Sequence, residues 1–289
     1  MDMSGRTTFV YKEVNGCEIK GDFYAAEERL APLVVYFHGG GLIWGTRGDM
    51  KREQIALFHQ AGFNVCSIDY RLAPESKLPS IIEDVQDVLI WLKEQGADRF
   101  HFAPERIAVT GSSAGGYLAL LTGTFQVRPK AIVSFYGYGD ILGDWYQMPS
   151  PYFSKMTAVP EALAHQLIQQ KTISEAPIER RFAIYLYCRQ KGKWIDYVTN
   201  ADSAKSLTEY CPVESIDAHY PTTMLLHGDM DEDVPFEQSL QMSQALTKAG
   251  IYNKLITIPN GIHSFDNDMD APVVINAFNQ VIKFLKETL

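Results

Sequence analysis

Apolar and polar positions along the chain form blocks that indicate strands alternating with helices. Residues 33–37 (LVVYF) are a continuous apolar run, which is typical of a strand buried on both faces of a parallel sheet. Residues 79–95 instead carry apolar side chains at helical spacing and stop before Gly96. The predicted strands are residues 33–37, 64–68, 106–110, 130–136, 222–227 and 254–258, and the predicted helices are residues 49–62, 79–95, 114–125, 236–249 and 271–288. This order predicts a doubly wound, mostly parallel α/β sheet with helices on both faces.

The first 25 residues follow a different pattern. Two β-type runs, residues 7–14 and 17–25, flank Asn15-Gly16, and Asn-Gly is a strong signal for a two-residue hairpin turn. We therefore predict an antiparallel hairpin that precedes the parallel sheet.

Residues 139–220 interrupt the strand–helix alternation. They contain helix-like segments at 160–171, 177–191 and 201–210, and a structureless loop of that length would be improbable. We predict a helical cap at 139–220, inserted into a catalytic domain made of residues 1–138 and 221–289. The cap could use its aromatic residues to line a pocket. For any single one of them, however, we favour a packing role between the cap and the main domain. These residues are Trp145, Tyr146, Tyr152, Phe153, Tyr185, Tyr187, Trp194 and Tyr197.

Composition and charge narrow the function classes. The chain has 289 residues, of which 46% are hydrophobic, so it has enough apolar surface for a large core. The net charge is −9 and the basic runs at 51–52 and 180–181 are short, whereas a nucleic-acid binder would present a basic face. We therefore expect no nucleic-acid partner.

The compartment is inferred from what the sequence lacks. No apolar run approaches the roughly 18 residues of a membrane span, and the N-terminal residues do not form a secretory signal. The four cysteines are widely spaced and form no CxxC pair, which argues against a zinc site. We expect free thiols and a cytoplasmic protein.

A short glycine–serine motif supplies the first candidate for chemistry. Residues 107–116 (IAVTGSSAGG) contain a G-x-S-x-G pattern centred on Ser113, with a predicted strand before it and a predicted helix after it. This context is that of a nucleophilic serine raised on a strained turn; the alternative is an ordinary turn with an N-capping serine. Ser112 is a weaker candidate because no glycine lies two residues before it.

A glycine run after the first parallel strand predicts an oxyanion hole. A tetrahedral intermediate needs backbone N–H groups that already face its charged oxygen, and glycines allow the backbone to approach closely. The segment His38-Gly39-Gly40-Gly41 fits this need, together with the N–H of Ala114 after the serine. We expect Gly40, Gly41 and Ala114 to contribute, Gly39 less so, and His38 to hold the loop. A phosphate loop is disfavoured because its lysine pattern is absent.

Seven histidines are candidates for the general base that a serine nucleophile requires. In this type of sheet the order along the chain is serine, acid, histidine. His263 lies in the loop 259–265, between the last strand and the last helix, where its side chain could overhang the sheet edge. We predict His263 as the base, and expect His227, at a strand end, to shape a turn.

The acid is expected in residues 227–235 (HGDMDEDVP), which offer Asp229, Asp231 and Asp233. Three close carboxylates cannot all be buried and ionised without cost, so one should face the histidine and the others water. Spacing leaves Asp229 and Asp231 as rivals. A Ca²⁺ site is disfavoured because EF-hand spacing is absent, and we expect no metal or organic cofactor.

Together these motifs resemble a known family. HGGG at 38–41, DYRLAPE at 69–75 and GSSAGG at 111–116 are similar to the carboxylesterases of the hormone-sensitive-lipase-like branch of the α/β-hydrolases. The resemblance implies an α/β-hydrolase fold and ester hydrolysis. It also implies that Arg71 and Glu75 lock a loop structurally, with Asp84 as a partner.

The acid loop resembles a different branch, the dienelactone-hydrolase and prolyl-oligopeptidase relatives with their HGxxDxxV pattern. In those relatives the acid comes four residues after the histidine, which here implies Asp231.

These expectations combine into a serine carboxylesterase that hydrolyses small, short-chain acyl esters through Ser113, His263 and Asp231. An amidase or peptidase with the same triad is the alternative that the acid loop supports. A ligand-binding protein without turnover is disfavoured, because such proteins usually lose a triad member. An exposed edge strand or a terminal helix could pair two copies into a homodimer.

Overall fold

The computed structural model of the protein describes residues 5–200 and 204–289. Its strands are β1 Arg6–Val14, β2 Cys17–Tyr24, β3 Leu33–Phe37, β4 Asn64–Ile68, β5 Ile107–Ser112, β6 Ala131–Phe135, β7 Thr222–Gly228 and β8 Asn253–Ile258. Its α-helices are α1 Arg52–Gln60, α2 Leu78–Trp91, α3 Ala97–Phe100, α4 Ala114–Leu121, α5 Asp144–Gln147, α6 Glu161–Gln166, α7 Ile178–Lys191, α8 Trp194–Val198, α9 Glu237–Lys248 and α10 Pro272–Thr288. Within this described part of the chain, no helix is both long and apolar enough to cross a membrane.

The eight strands form one sheet in the order β1-β2-β4-β3-β5-β6-β7-β8. β1 and β2 form an antiparallel hairpin, β2 pairs antiparallel with β4, and the remaining pairs are parallel. At the hairpin turn both Asn15 (φ 52°) and Gly16 (φ 73°) are left-handed, which is the conformation that a two-residue type I′ turn requires. The predicted mostly parallel sheet with an N-terminal hairpin is confirmed.

The continuous apolar run of β3 follows from its position inside the sheet. Successive side chains of a strand point to opposite faces, so Val34 and Val35 enter different cores. Val35 packs in the larger core with α2 and α4, whereas Val34 packs in the smaller core against α1 and α10. Burial on both faces explains why β3 lacks the polar–apolar alternation of a half-exposed strand.

Several predicted helices end elsewhere than expected: α1 ends at Gln60 and α4 at Leu121, before the predicted ends at 62 and 125. Helix α2 does not stop before Gly96; it continues through a π-helical segment, Leu92–Gly96, into α3, which ends at the left-handed residue His101. Gly96 is therefore a helix-interior glycine, and its close packing against the Trp91 ring, 3.1 Å from an added Cβ, explains the small residue. The predicted helix 160–171 is shorter, since α6 ends at Gln166.

Helices α5 to α8 lie in residues 139–220, between β6 and β7 in the chain. The first three residues of the predicted helix 201–210 are outside the described residues, and the rest form a 3₁₀ helix, Ala204–Tyr210. Several cap aromatics pack together: Trp194 is fully buried and stacks on Tyr146 with ring centroids 4.0 Å apart. The division of the chain at 139 and 220 stays a prediction.

Two arginines hold the loop that follows β4. Arg71 donates to Asp84 through Nε at 2.8 Å and Nη2 at 2.7 Å, as the resemblance implies. Glu75 does not join that pair: its carboxylate accepts two hydrogen bonds, at 2.6 and 2.7 Å, from Arg181 of α7. Glu75 therefore ties the loop to the cap segment, 106 residues away in the chain.

Candidate active site

Ser113 lies on a sharp turn between β5 and α4. Its backbone has φ 55° and ψ −119°, a conformation that is costly for a residue with a side chain. An added Cβ at Gly111 would collide with the Gly115 carbonyl, and one at Gly115 would collide with the Phe37 carbonyl, so both flanking positions require glycine. The strand, turn and helix around G-x-S-x-G are therefore present as expected.

The structure brings His263 between Ser113 and Asp231. The Nε2 atom of His263 is 3.1 Å from Ser113 Oγ, and its Nδ1 atom is 2.7 Å from Asp231 Oδ2. The other carboxylate oxygen of Asp231 accepts hydrogen bonds at 2.9 Å from the backbone N–H groups of Asp233 and Val234. These bonds hold the carboxylate in place next to the imidazole.

The two rivals for the acid lie in different places. Asp229 is exposed, and its Oδ1 accepts a hydrogen bond at 2.6 Å from the N–H of Asn260. Asp231 is the buried carboxylate that contacts His263, its side chain being 0% exposed. Asp229 thus braces the neighbouring loop, while Asp231 has the geometry expected of the acid.

Asp233 departs from the expectation that it faces water. Its Oδ2 is 3.8 Å from His263 Nε2, on the side of the ring that faces Ser113. Its Oδ1 accepts a hydrogen bond at 2.6 Å from the hydroxyl of Tyr185 in α7. The expectation was wrong because the cap segment, distant in sequence, supplies the partner that keeps this carboxylate beside the histidine.

Charges around the site shift two pKa values in opposite directions. Burial alone would raise the pKa of Asp231, but hydrogen bonds and charges from His227 and His263 hold it well below its usual range. Burial alone would lower the pKa of His263, but the carboxylates of Asp233 and Asp231 outweigh burial, so its pKa is raised. The site therefore favours an ionised acid next to a histidine that is readily protonated.

His227 has a role that sequence reasoning missed. Its Nε2 is 2.9 Å from the Val234 carbonyl oxygen and 3.3 Å from Asp231 Oδ2, and its Nδ1 is 2.7 Å from Ser239 Oγ. Since a carbonyl only accepts, Nε2 carries a proton and donates it to Val234. His227 therefore contacts Asp231 and helps to hold its carboxylate in place. The sequence signal for this role is the position of His227, four residues before the acid.

The glycine loop and the start of α4 carry backbone N–H groups that are available as donors. Gly40 (φ 100°) and Gly41 (φ 60°) adopt left-handed conformations that favour glycine. Outside the helices and strands of the described residues, neither of their N–H groups donates to a backbone carbonyl. The N–H of Ala114 is the first of α4 and has no intrahelical acceptor. Gly39, the least favoured candidate, is the loop glycine that contacts the serine: its Cβ position is 3.4 Å from Ser113 Cβ.

His38 stabilises the loop rather than facing the serine. It is fully buried, stacks on Tyr70 with ring centroids 4.2 Å apart, and contacts the Gly39 carbonyl through Nδ1 at 2.8 Å. Burial lowers the pKa of His38, which keeps the ring neutral. This geometry matches the loop-holding role predicted for it.

A cavity of about 470 Å³ adjoins the glycine loop. Its wall includes Ser112, whose hydroxyl is hydrogen-bonded to Tyr36 at 2.9 Å, and Tyr136, which donates to Asp266 at 2.7 Å. Among the described residues that line it, none is one of the eight cap aromatics. The expected aromatic lining from the cap is therefore not found at this cavity, whose wall mixes hydroxyl, carboxylate and apolar groups.

No group of three or more His, Cys, Asp or Glu side chains within the described ranges is arranged to hold a metal ion.

Comparison with known proteins places the chain in a family. The BD-FAE family model matches residues 22–246 of the chain. A Staphylococcus aureus protein of unknown function has a TM-score of 0.82 at 24% identity, covering 98% of this chain and 99% of that one. An α/β-hydrolase superfamily protein from Enterococcus faecalis has a TM-score of 0.78 at 24% identity, covering 98% of both chains. A thermophilic esterase from Thermogutta terrifontis has a TM-score of 0.70 at 22% identity, covering 99% of this chain and 93% of that one. These likenesses show the α/β-hydrolase fold.

Curated relatives match over a much smaller share of their own length. A non-reducing polyketide synthase of Aspergillus calidoustus is 29% identical over an alignment that covers 92% of this chain and 13% of the synthase. One from Penicillium roqueforti is 28% identical over 90% of this chain and 12% of its own length. The chain thus corresponds to one segment of these much longer proteins.

Proposed function

The chain belongs to the BD-FAE family, and from this premise we propose that it is a serine carboxylesterase acting on small, short-chain acyl esters. The observation that carries the proposal is the hydrogen-bonded series Ser113–His263–Asp231, with 3.1 Å and 2.7 Å between its members. A serine hydroxyl needs an adjacent base to become a nucleophile, and the base needs a third group to orient it. The series meets both requirements.

The proposed acylation begins at Ser113 Oγ. The oxygen attacks the ester carbonyl while His263 Nε2 takes its proton. Asp231, through its 2.7 Å contact with Nδ1, holds the tautomer whose Nε2 is free to accept, and it stabilises the imidazolium that forms. His263 then gives the proton to the departing alcohol, leaving an acyl group on Ser113.

Deacylation repeats the same proton transfers with water. His263 takes a proton from a water molecule that attacks the acyl-serine carbonyl, and it returns that proton to Ser113 as the acid leaves. Both half-reactions use only groups of this chain and water.

The oxyanion would be held by the N–H groups of Gly40, Gly41 and Ala114, with Gly39 as a further contributor. Donors that are already oriented stabilise a charge that appears only in the transition state, and each is worth about 10²–10³ in turnover. The support for this assignment is the left-handed backbone at Gly40 and Gly41. In addition, their N–H groups have no backbone acceptor outside the regular elements of residues 5–200 and 204–289.

The preference for short acyl groups is inferred from how closely α7 and α8 pack on the glycine loop. An added Cβ at Gly41 would lie 2.6 Å from the Tyr185 ring, and Trp194 Nε1 donates to the Gly41 carbonyl at 3.0 Å. Aromatic side chains thus already occupy the space on that side of the loop. A long acyl chain would have to displace them.

Ester hydrolysis by a Ser113→Ala variant is the direct test. We expect turnover of a p-nitrophenyl ester to fall by about 10⁴-fold or more, since the remaining groups lack a nucleophile. Ser154→Ala is the matched control, because Ser154 is an exposed serine in the cap segment. Near-normal turnover of the Ser113 variant would contradict the proposal.

Two substrate series distinguish this proposal from a long-chain esterase and from an amidase. Across p-nitrophenyl esters of increasing acyl length, turnover should be highest for the short chains; preference for long chains would contradict the short-chain assignment. For an ester and an amide of the same acyl group, turnover of the ester should be much higher. Equal or better amide turnover would indicate an amidase that uses the same residues.

A further inference from the structure

A second carboxylate lies on the reacting side of the histidine. Asp231 contacts His263 at Nδ1, whereas Asp233 Oδ2 is 3.8 Å from Nε2, the atom that also faces Ser113 Oγ at 3.1 Å. The imidazole is therefore flanked by acidic groups at both nitrogens. The serine–base–acid mechanism uses only the one at Nδ1.

Asp233 is held in place from two sides. Tyr185 of α7 donates its hydroxyl to Oδ1 at 2.6 Å, and Arg189, one turn further along α7, donates to the Asp233 backbone carbonyl at 2.7 Å. The N–H of Asp233 in turn donates to Asp231 at 2.9 Å, so the two carboxylates are parts of one braced loop. Burial and the Asp233 charge raise the pKa of Tyr185, which keeps the phenol protonated as a donor.

The position of Asp233 discriminates between the two forms of the histidine. Neutral His263 with its proton on Nδ1 presents a lone pair at Nε2, and a nearby carboxylate repels it. The imidazolium presents an N–H there, and the same carboxylate attracts it. Asp233 thus favours the charged histidine that forms each time a proton is taken from Ser113 or from water.

We propose that Asp233 is a positioning residue for His263: its charge beside Nε2 stabilises the imidazolium and so sets the pH below which ester turnover falls. The inference rests on the proposed function, because it requires His263 to be the base. It goes beyond that function by assigning a second acidic residue to the same histidine.

The other groups around His263 do not replace this effect. Asp231 acts at the opposite nitrogen, and the Tyr136 ring, 4.8 Å away, meets the imidazole edge-on without charge. Arg189 is cationic and opposes the protonation of His263. Burial lowers the pKa of His263, but the charge of Asp233, together with the hydrogen bond and charge of Asp231, outweighs it, so the pKa is raised. Of the two carboxylate charges, that of Asp233 has the larger effect.

The test compares Asp233→Asn with Glu232→Gln across the pH range of ester hydrolysis. Both variants remove one negative charge from the same loop, but Glu232 is exposed whereas Asp233 faces the histidine. For Asp233→Asn we expect the acidic limb of kcat/KM to move to lower pH by about one unit, since an opposite charge at this distance shifts a titration by about that much or more. The plateau should fall by up to about tenfold, because the transition state loses the same stabilisation. Glu232→Gln should change neither the acidic limb of kcat/KM nor its plateau.

An acidic limb that stays in place in active Asp233→Asn would overturn the inference, as would an equal shift in Glu232→Gln. Asp233→Ala provides a second variant in case the amide disturbs the loop, and the same shift is expected.

Labelling with a fluorophosphonate at alkaline pH separates failure of the Asp233 role from failure of the proposed function. If the unaltered protein is not labelled at Ser113, the esterase proposal fails; if all variants are labelled and the limb is unmoved, only the role of Asp233 fails. Loss of labelling in both folded Asp233 variants would also overturn the role, since a residue acting through the histidine leaves the serine reactive.

Discussion

The ion pair between Glu75 and Arg181 should be among the most costly in the protein to break. The two side chains are 1% and 2% exposed, and Arg181 also donates to the backbone carbonyls of Ile43 at 2.9 Å and Ala73 at 2.6 Å. Glu75→Gln keeps one accepting oxygen but turns an amide N–H₂ toward the guanidinium and leaves a buried charge uncompensated. Removing one partner of such a pair costs about 3–5 kcal/mol, so we expect the free energy of unfolding to fall by about 3 kcal/mol.

A double-mutant cycle isolates the pair from its surroundings. Glu75→Gln, Arg181→Met and the double variant are compared by denaturant unfolding, and the double variant should lose less than the sum of the singles by about 1.5 kcal/mol or more. Lys193 and Asp196 form a matched exposed pair, with side chains 52% and 54% exposed, whose coupling should be about 0.5 kcal/mol or less. Arg181→Met should also lower turnover, because its Ile43 contact belongs to the loop that carries the glycines.

Equal coupling energies for the buried and the exposed pair would refute this reasoning. So would an Arg181→Met variant with full stability, since it would mean that the cap segment is held to the main domain by other contacts.

Three further predictions follow from the site. Asp231→Asn should lower kcat by about 10⁴-fold, because the wrong histidine tautomer is stabilised, whereas Asp229→Asn should change it less than about tenfold; steady-state kinetics of both variants separates the rivals. Gly115→Ala should abolish turnover and destabilise the fold by about 3 kcal/mol or more, measured by thermal unfolding, since the new methyl group collides with the Phe37 carbonyl; a stable, active variant would contradict the turn geometry. Burial lowers the pKa of His263 but the nearby carboxylates outweigh it, so activity, which needs the neutral histidine, should fall on acidification with a midpoint above 6.5 in a pH–rate profile; a midpoint below that value would contradict the raised pKa.

Features set by neighbouring residues could be predicted from the sequence. The turn at Ser113 depends on Gly111 and Gly115, and the hairpin depends on Asn15 and Gly16, so each is contained in a few consecutive positions. The apolar run of β3 predicted a doubly buried strand because burial on both faces leaves no polar position. Local rules of this kind are sufficient to predict most strands of the sheet.

Features that depend on distant residues could not be predicted in the same way. Glu75 meets Arg181 and Asp233 meets Tyr185 across 106 and 48 positions of the chain, and nothing in either local pattern points to the partner. The sequence predicts a helix stop at Gly96 because glycine is unfavourable in a helix interior, yet tight packing against Trp91 outweighs that preference. Helix α7 supplies two of these three partners, Arg181 and Tyr185, so its contribution to the site is apparent only in the folded structure.

The most direct test of the central claim is to locate a fluorophosphonate adduct by peptide mass spectrometry. The account predicts one adduct per chain, on Ser113 of the peptide that contains residues 111–116, and loss of ester turnover in proportion to labelling. It also predicts that His263→Ala is labelled far more slowly, since the serine then lacks its base. An adduct on Ser112 or elsewhere, or turnover that persists in fully labelled protein, would contradict the assignment of Ser113 as the nucleophile.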